Sequence, residues 1–264
     1  WCTIKTIRRT SNIGDLMPFI LGTNSIKDTG YDVANSLRFN SGSTDYLNRS
    51  FSSDSNKRTF TYSLWVKKCT TASGGALFGS IDGSGGYIWY LLSGTVLYLQ
   101  NNPGSSMEFQ PTQKFRDLSA WMHIVLAVDT TQSTESNRVK IYVNGSQITS
   151  FATDTYPSQN QDLNFATSQY LRIGEFGGEK LNAYLSDVAW IDGSQLDATS
   201  FGEFDSDSPT IWKPKDFKDD VTFGTNGFYL EFKESGTSQN SSGLGADTSG
   251  NNNHFAVNNL TAVD

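Results

Sequence analysis

The sequence predicts an all-β fold, an antiparallel sandwich of two sheets, on three observations. Short apolar segments recur at residues 60–66, 76–81, 87–92, 96–99, 121–129, 139–143, 170–173, 184–191 and 227–232, with Gly, Ser, Asn or Pro between them. That is the spacing of strands and turns. Within several segments hydrophobicity alternates every second residue, so one face is core and the other wet. After residues 139–143 stands Asn144-Gly145, a pair that supplies the positive φ angles of a tight hairpin turn.

From the N-terminus, residues 1–35 carry basic Lys5, Arg8 and Arg9 and then the apolar run MPFILG at 17–22, without sustained periodicity. They read as an extended arm, either loosely docked or ordered in an assembly by gripping a neighbouring subunit through Phe19, Ile20 and Leu21. In 60–66, Phe60, Tyr62, Leu64 and Val66 alternate with Thr61, Ser63 and Trp65, which puts Trp65 on the face opposite the core. In 121–129 apolar residues fill both alternation classes, Met122, Ile124, Leu126 and Val128 on one, Trp121, Val125 and Ala127 on the other. This strand expects burial on both faces and a central place. Val139, Ile141 and Val143 alternate with Arg138, Lys140 and Tyr142 and point inward, and residues 147–151 return after the turn. Leu64 and Leu185 join the expected core. One short helix is expected near 195–201, with Ser194 as its N-cap and Gly202 beyond its end. The chain so divides into an arm (1–35), a sandwich domain (36–233) and a Ser-, Gly- and Asn-rich C-terminal segment (234–264).

A length of 264 residues fits one large sandwich plus an appendage, since single all-β domains run to about 200 to 250 residues. Aromatic residues at 13% are abundant and charged residues at 18% scarce, so the expected surface is built from Ser, Thr, Asn, Gln and Gly. A net charge of −7 without a basic stripe argues against a nucleic-acid partner, because phosphate binding needs clustered Lys and Arg. No apolar run approaches the roughly 20 residues of a membrane helix, so no membrane insertion is expected. Residues 4–9 lack the apolar stretch of a secretory signal. Cys2 and Cys69 are too few for a disulfide scaffold, and free thiols are expected.

Several segments resemble a known family. A Trp-x-His strand at 121–123, a polar loop opening with Asp129 and a YVNG hairpin at 142–145 resemble the laminin-G-like, concanavalin A-type jelly-roll superfamily. SLRFN at 36–40, Tyr46-Leu47, the 60–66 strand and AYLSDVAWID at 183–192 extend the likeness over residues 35–260. More narrowly, DTTQSTESNRVKIYVNG (129–145), TYPSQN (155–160), IDGSQLDATSFGEFDSD (191–207), WKPK (212–215), GTNGFYLEF (224–232) and DTSGNNNHFAVNNL (247–260) are similar to a laminin-G-like module of marine tailed-phage virion structural proteins. The resemblance implies a jelly-roll sandwich that is not an enzyme, displayed on the virion exterior as a tail fibre, spike or capsid decoration. It implies other virion proteins and further copies of the chain as partners, and as an alternative a lectin module contacting host surface glycans. In that superfamily a sequence like 247–254 lies near the start of a module, whereas here it lies near the end. It either closes this sandwich as an added strand or opens a further module.

Glucan-cleaving enzymes of this superfold place three acids on one strand in a Glu-x-Asp-x-x-Glu-like pattern, two of them flanking one glycosidic bond about 5–5.5 Å apart. Here only Glu203, Asp205 and Asp207 come near it. The third position is wrong and Gly202, Ser206 and Pro209 indicate a loop, so no catalytic residue is assigned. The histidines are His123 and His254. His123 in the central strand reads as a hydrogen-bonded structural group, and neither His has a zinc spacing or a nucleophile-elbow context. No cofactor is required. Calcium is the one the chain could hold, because sugar-binding relatives bind it at a rim with Asp, Asn and backbone oxygens. Asp247, Asn251 and Asn253 are its candidates, against the plainer reading of a turn-rich loop. The glycine-rich stretch 82–86 reads as a turn, lacking the context of a phosphate loop. A glycan site needs an aromatic platform edged by polar groups. Trp65, Trp89, Tyr90, Tyr98 and Trp190 are its candidates, against the plainer reading of core side chains. Glycosylation sequons at Asn48, Asn144, Asn240 and Asn259 follow from a Ser- and Asn-rich composition.

Overall fold

A computed structural model describes residues 31, 33–72, 74–81, 86–102, 106–164 and 170–264. The chain divides into Trp1–Asp32 and Val33–Asp264, and every described strand belongs to the second unit. Phe19, Ile20, Leu21, Cys2 and residues 82–85 lie outside the described residues.

That unit is an antiparallel two-sheet sandwich. The seven-stranded sheet runs β1 (Leu37–Phe39), β15 (Ala183–Asp192), β3 (Thr59–Lys68), β8 (Met122–Asp129), β9 (Val139–Val143) and β10 (Ser146–Gln147), with β18 (Phe228–Leu230) also on β15. The eight-stranded sheet runs β11 (Phe151–Thr155), β7 (Met107–Pro111), β6 (Val96–Asn102), β5 (Tyr87–Ser93), β4 (Ala76–Ile81), β12 (Tyr170–Ile173), β2 (Tyr46–Arg49) and β19 (Ala256–Asn258). Two small hairpins, β13 (Glu175–Phe176) with β14 (Glu179–Lys180) and β16 (Gly202–Phe204) with β17 (Trp212–Pro214), complete the described strands.

Alternation sets what lies between the sheets. Leu64, Met122, Ile124, Leu126, Val139, Ile141, Val143 and Leu185 are all buried in the main core, together with Phe60, Tyr62, Phe78 and Tyr90. The Asn144-Gly145 turn has φ of 48° and 78°, as its sequence requires. Gly145 is needed twice over, because a Cβ there would stand 2.3 Å from the Trp212 ring.

The outer face of the seven-stranded sheet is buried as well. Ala198, Phe201, Trp212, Phe217 and Phe223, from the segment after β15, pack on Trp65, Val125, Ala127 and Ile191, which explains why β8 is apolar on both sides. The helix expected at 195–201 is only a 3-10 turn, Ala198–Ser200, and its N-cap is Asp197, which accepts from the Thr199 amide at 2.9 Å. The segment is held flat against β3 instead: Thr61 Oγ1 donates to the Ser194 carbonyl at 2.7 Å and accepts from the Leu196 amide at 2.8 Å. Such side-chain bonds compete with helix formation. The expected return strand at 147–151 is likewise shorter. β10 ends at Gln147, and the chain crosses to the other sheet, where Phe151–Thr155 pairs with β7.

The C-terminal segment adds a strand: β19 pairs antiparallel with β2, Val257 opposite Leu47. Phe255 and Leu260 beside it are buried in the main core.

Candidate functional site

Outward-facing residues of the eight-stranded sheet form a separate aromatic cluster. Tyr87 and Trp89 of β5, Tyr98 of β6 and Tyr170 of β12 are half-buried there around a buried Phe176. Strand alternation places them: Ile88, Tyr90, Leu97 and Leu99 point into the core, so Tyr87, Trp89 and Tyr98 must point out. Register then sets polar groups beside the rings. Trp89 pairs with Gln100, which pairs with Glu108, and Tyr87 pairs with Asn102. The Asn102 amide donates to the Tyr87 hydroxyl at 2.8 Å. Burial and a hydrogen bond to Glu108 push the Tyr98 phenol up to about 12, so its hydroxyl stays protonated and donates to that carboxylate. The Trp89 indole N–H is buried without an acceptor among the described residues, a state that packing alone does not favour.

The β13–β14 hairpin stands on this face. Phe176 lies over Gly79, where a Cβ would be 2.0 Å from its ring, and Gly177 lies beside the Trp89 ring edge. The Phe176 centroid is 6.2 Å from Tyr87, and 6.3 Å from both Trp89 and Tyr170. Beyond the hairpin, Arg172 donates to Glu175 at 2.7 Å. Its guanidinium lies 4.6 Å and 4.5 Å from the ring centres of Tyr46 and Tyr170.

Of the five aromatic residues predicted as platform, only Trp89 and Tyr98 are brought together at the surface. Tyr90 (0% exposed) and Trp190 (1%) are in the core, and Trp65 (9%) lies under the covering segment, stacked on His123 at 4.9 Å. Trp190 goes inward because β15 has a bulge between Ser186 and Ala189, with Asp187 at φ 45°. The extra residue reverses the alternation, so that Leu185 and Trp190 both face the core. Tyr87, Tyr170, Phe176 and Glu108 were not singled out from sequence, although the apolar segments 87–92 and 170–173 mark the strands that carry Tyr87 and Tyr170.

His123 is a structural group. Its Nδ1 accepts from the Trp212 indole at 3.0 Å and its Nε2 is 2.9 Å from Ser63 Oγ. Because an indole can only donate, the neutral ring carries its proton on Nε2 and gives it to Ser63. Burial pushes the imidazole down to about 3. The acids at 203–207 also have structural partners. Lys213 Nζ lies 3.2 Å from Glu203 and 3.4 Å from Asp205, and Asp205 caps the amides of Asp207 and Ser208, each at 2.9 Å. Burial raises the Asp205 carboxyl, but these amides and Lys213 hold it below the usual carboxylate range, opposite to what a general acid needs. An open cleft of about 430 Å³ at Ser194, Thr199, Lys215 and Asp220 contains no carboxylate pair.

Asp247, Asn251 and Asn253 do meet, as a hydrogen-bonded latch. Asp247 accepts from the amides of Tyr229, Ser249 and Asn253 at 2.9, 2.9 and 2.8 Å, and from Ser249 Oγ at 3.0 Å. Asn251 and Asn253 both donate to the Gly227 carbonyl, at 3.0 and 2.9 Å, and Asn253 Oδ1 accepts from Arg49 at 3.2 Å. No group of three or more His, Cys, Asp or Glu side chains suited to a metal ion occurs among the described residues. Cys69 is free.

No curated protein matches the chain. Among solved structures it is similar to the native heptameric SAP-like pentraxin from Limulus polyphemus, at 16% identity and TM-score 0.44 over 63% of this chain and 79% of that one. It is also similar to domains LG4-5 of the mouse laminin alpha1 chain, at 14% identity and TM-score 0.44 over 62% of this chain and 43% of that one. For the binding domain of botulinum neurotoxin serotype G the values are 14% and 0.45, over 62% and 40%. The chain thus spans less than half of the latter two. Residues 34–198 match the family described as the concanavalin A-like lectin/glucanases superfamily. That match takes in more than half of the sequence, and the chain belongs to this superfamily.

Proposed function

We propose that this chain is a non-catalytic structural module on the exterior of a tailed-phage virion, in a tail fibre, spike or capsid decoration, contacting host surface glycans through the outer face of its eight-stranded sheet. The observation that carries the glycan reading is the half-exposed set Tyr87, Trp89 and Tyr98, edged by Asn102, Gln100 and Glu108. Aromatic faces take the C–H faces of sugar rings, while amides and carboxylates bond their hydroxyls. The opposite outer face is covered from Ala198 to Phe223, and Phe204 of that cover is itself exposed. Absence of catalysis is supported by Glu203 and Asp205, whose carboxylates are engaged by Lys213. The virion placement rests on the wording of residues 129–145, 191–207, 224–232 and 247–260 and on a weakly charged, Ser- and Asn-rich composition.

A glycan array probed with the protein, with and without chelator, tests the binding. The expected result is a restricted set of hits that survive chelation and disappear in Trp89→Ala. Gold-labelled antibody on intact particles carrying the chain tests the placement, with label expected on the outer surface. An array without hits contradicts glycan contact. Label found only after particles are disrupted contradicts exterior display. Glycan hydrolysis abolished by Glu203→Gln contradicts the non-catalytic reading.

A further inference from the structure

The layout of rings, wall and charge narrows the ligand, and the narrowing rests on the glycan-contact reading above. Thr155 of β11, Glu108 of β7, Gln100 of β6 and Trp89 of β5 are successive Cα partners, so they form one row across the sheet. The next position in that row is Gly79 of β4, and there Phe176 rises from the sheet, close enough that a Cβ on Gly79 would meet its ring. Gly177 continues the same obstruction over the edge of Trp89. Among the described residues the row therefore runs free to the sheet edge at β11 and is closed at β4. Three strand spacings of about 4.8 Å give it a run of roughly 14 Å. A glycan lying on Tyr98 and Trp89 and running across the strands must stop at the hairpin.

Charge narrows it further. Glu108 is the one charged side chain in the row between Thr155 and the wall. The next position in the row beyond Gly79 is Arg172, a cation already bonded to Glu175 and set against two tyrosine rings. On the hairpin Lys180 pairs across from Glu175, next to Glu179. With Arg172 neutralised by Glu175, Glu108 is the charge that a ligand in the row meets, which disfavours anionic sugars and suits hydroxyl donors.

We propose that this face binds the uncharged end of a glycan chain, with Trp89 and Tyr98 stacking the terminal sugars, Glu108 accepting their hydroxyls and the Phe176 hairpin acting as the stop. It would thereby recognise chain ends in preference to chain interiors.

The test is calorimetry with gluco-, manno- and xylo-oligosaccharides of increasing length, and with alginate and carrageenan oligosaccharides as anionic counterparts. Affinity for a neutral series should level off after the first few sugars, changing less than about threefold beyond, and should fall at least about tenfold in Trp89→Ala. Glu108→Ala, at a half-exposed position, should lose at least about fivefold with the wild-type melting temperature kept, which separates lost contact from lost folding. Cyclic gluco-oligosaccharides, which have no chain end, should not bind. Affinity that keeps rising with length, or binding of a cyclic oligosaccharide as tight as that of the linear one, overturns end recognition while leaving glycan contact standing. Binding confined to the anionic series overturns the uncharged class. Binding to none of them, with an array that is also blank, overturns this inference together with the reading on which it rests.

Discussion

At His123 a polar side chain is held neutral inside a stack of Trp65, His123 and Trp212. Its folded value of about 3 lies below the ordinary 6.5, so between those limits the unfolded chain binds the extra proton. Stability is fully present above about pH 6.5 and declines as pH falls through the window, by at most about 1.4 kcal/mol per pH unit. Urea unfolding at about pH 7 and about pH 4.5 should show the wild type losing more stability than His123→Phe, whose starting stability is lower but flatter. Equal losses would mean that the ring is not held neutral. Ile141, fully buried, should lose about 2 to 5 kcal/mol on change to Ala. Such core positions were legible because period-two alternation is strict in 139–143. The same rule separates adjacent Trp89 and Tyr90, which lie on opposite faces and cannot share one platform; residue type groups the pair, but type does not carry direction.

Elements show where local pattern stops being enough. The strand at 183–192 was legible, but its bulge at Asp187 was not, since a bulge is stabilised by distant partners, here the Tyr229 hydroxyl at 2.9 Å. Reversal of alternation after it is why Trp190 is core. The C-terminal strand was legible only as one of two arrangements, because its order depends on Arg49 and Asp247, far apart in sequence. Arg49 donates to the His254 carbonyl at 3.0 Å, and Asp247 gathers three backbone amides. Asp247→Ala should therefore destabilise by about 1.5 to 3 kcal/mol, the scale for hydrogen bonds to a charged group, and calcium or chelator should leave the wild-type melting temperature unchanged. A calcium-dependent rise that Asp247→Ala abolishes would make this latch a metal site. Gly79→Ala should displace the β13–β14 hairpin, with an overpacking penalty of about 1 to 3 kcal/mol. A melt identical to wild type would show that the hairpin is not seated on the sheet.

For the whole molecule, burial divides labour between the two outer faces. The seven-stranded sheet is closed by the segment after β15, and the eight-stranded sheet leaves rings and amides at its surface. The cover was signalled only indirectly, by the two-sided apolar pattern of 121–129, because Phe201, Phe217 and Phe223 themselves lie in chain without a period. The most direct measurement is a heteronuclear NMR titration of the protein with its best array ligand, tracking the tryptophan indole N–H resonances. The Trp89 indole should shift in a saturable manner, with Tyr98, Gln100 and Glu108 amides moving alongside and the buried Trp190 and Trp212 indoles still. Shifts gathered at residues 247–253, or at the cleft of Ser194 and Lys215, with Trp89 unmoved, would place the ligand elsewhere and contradict the account.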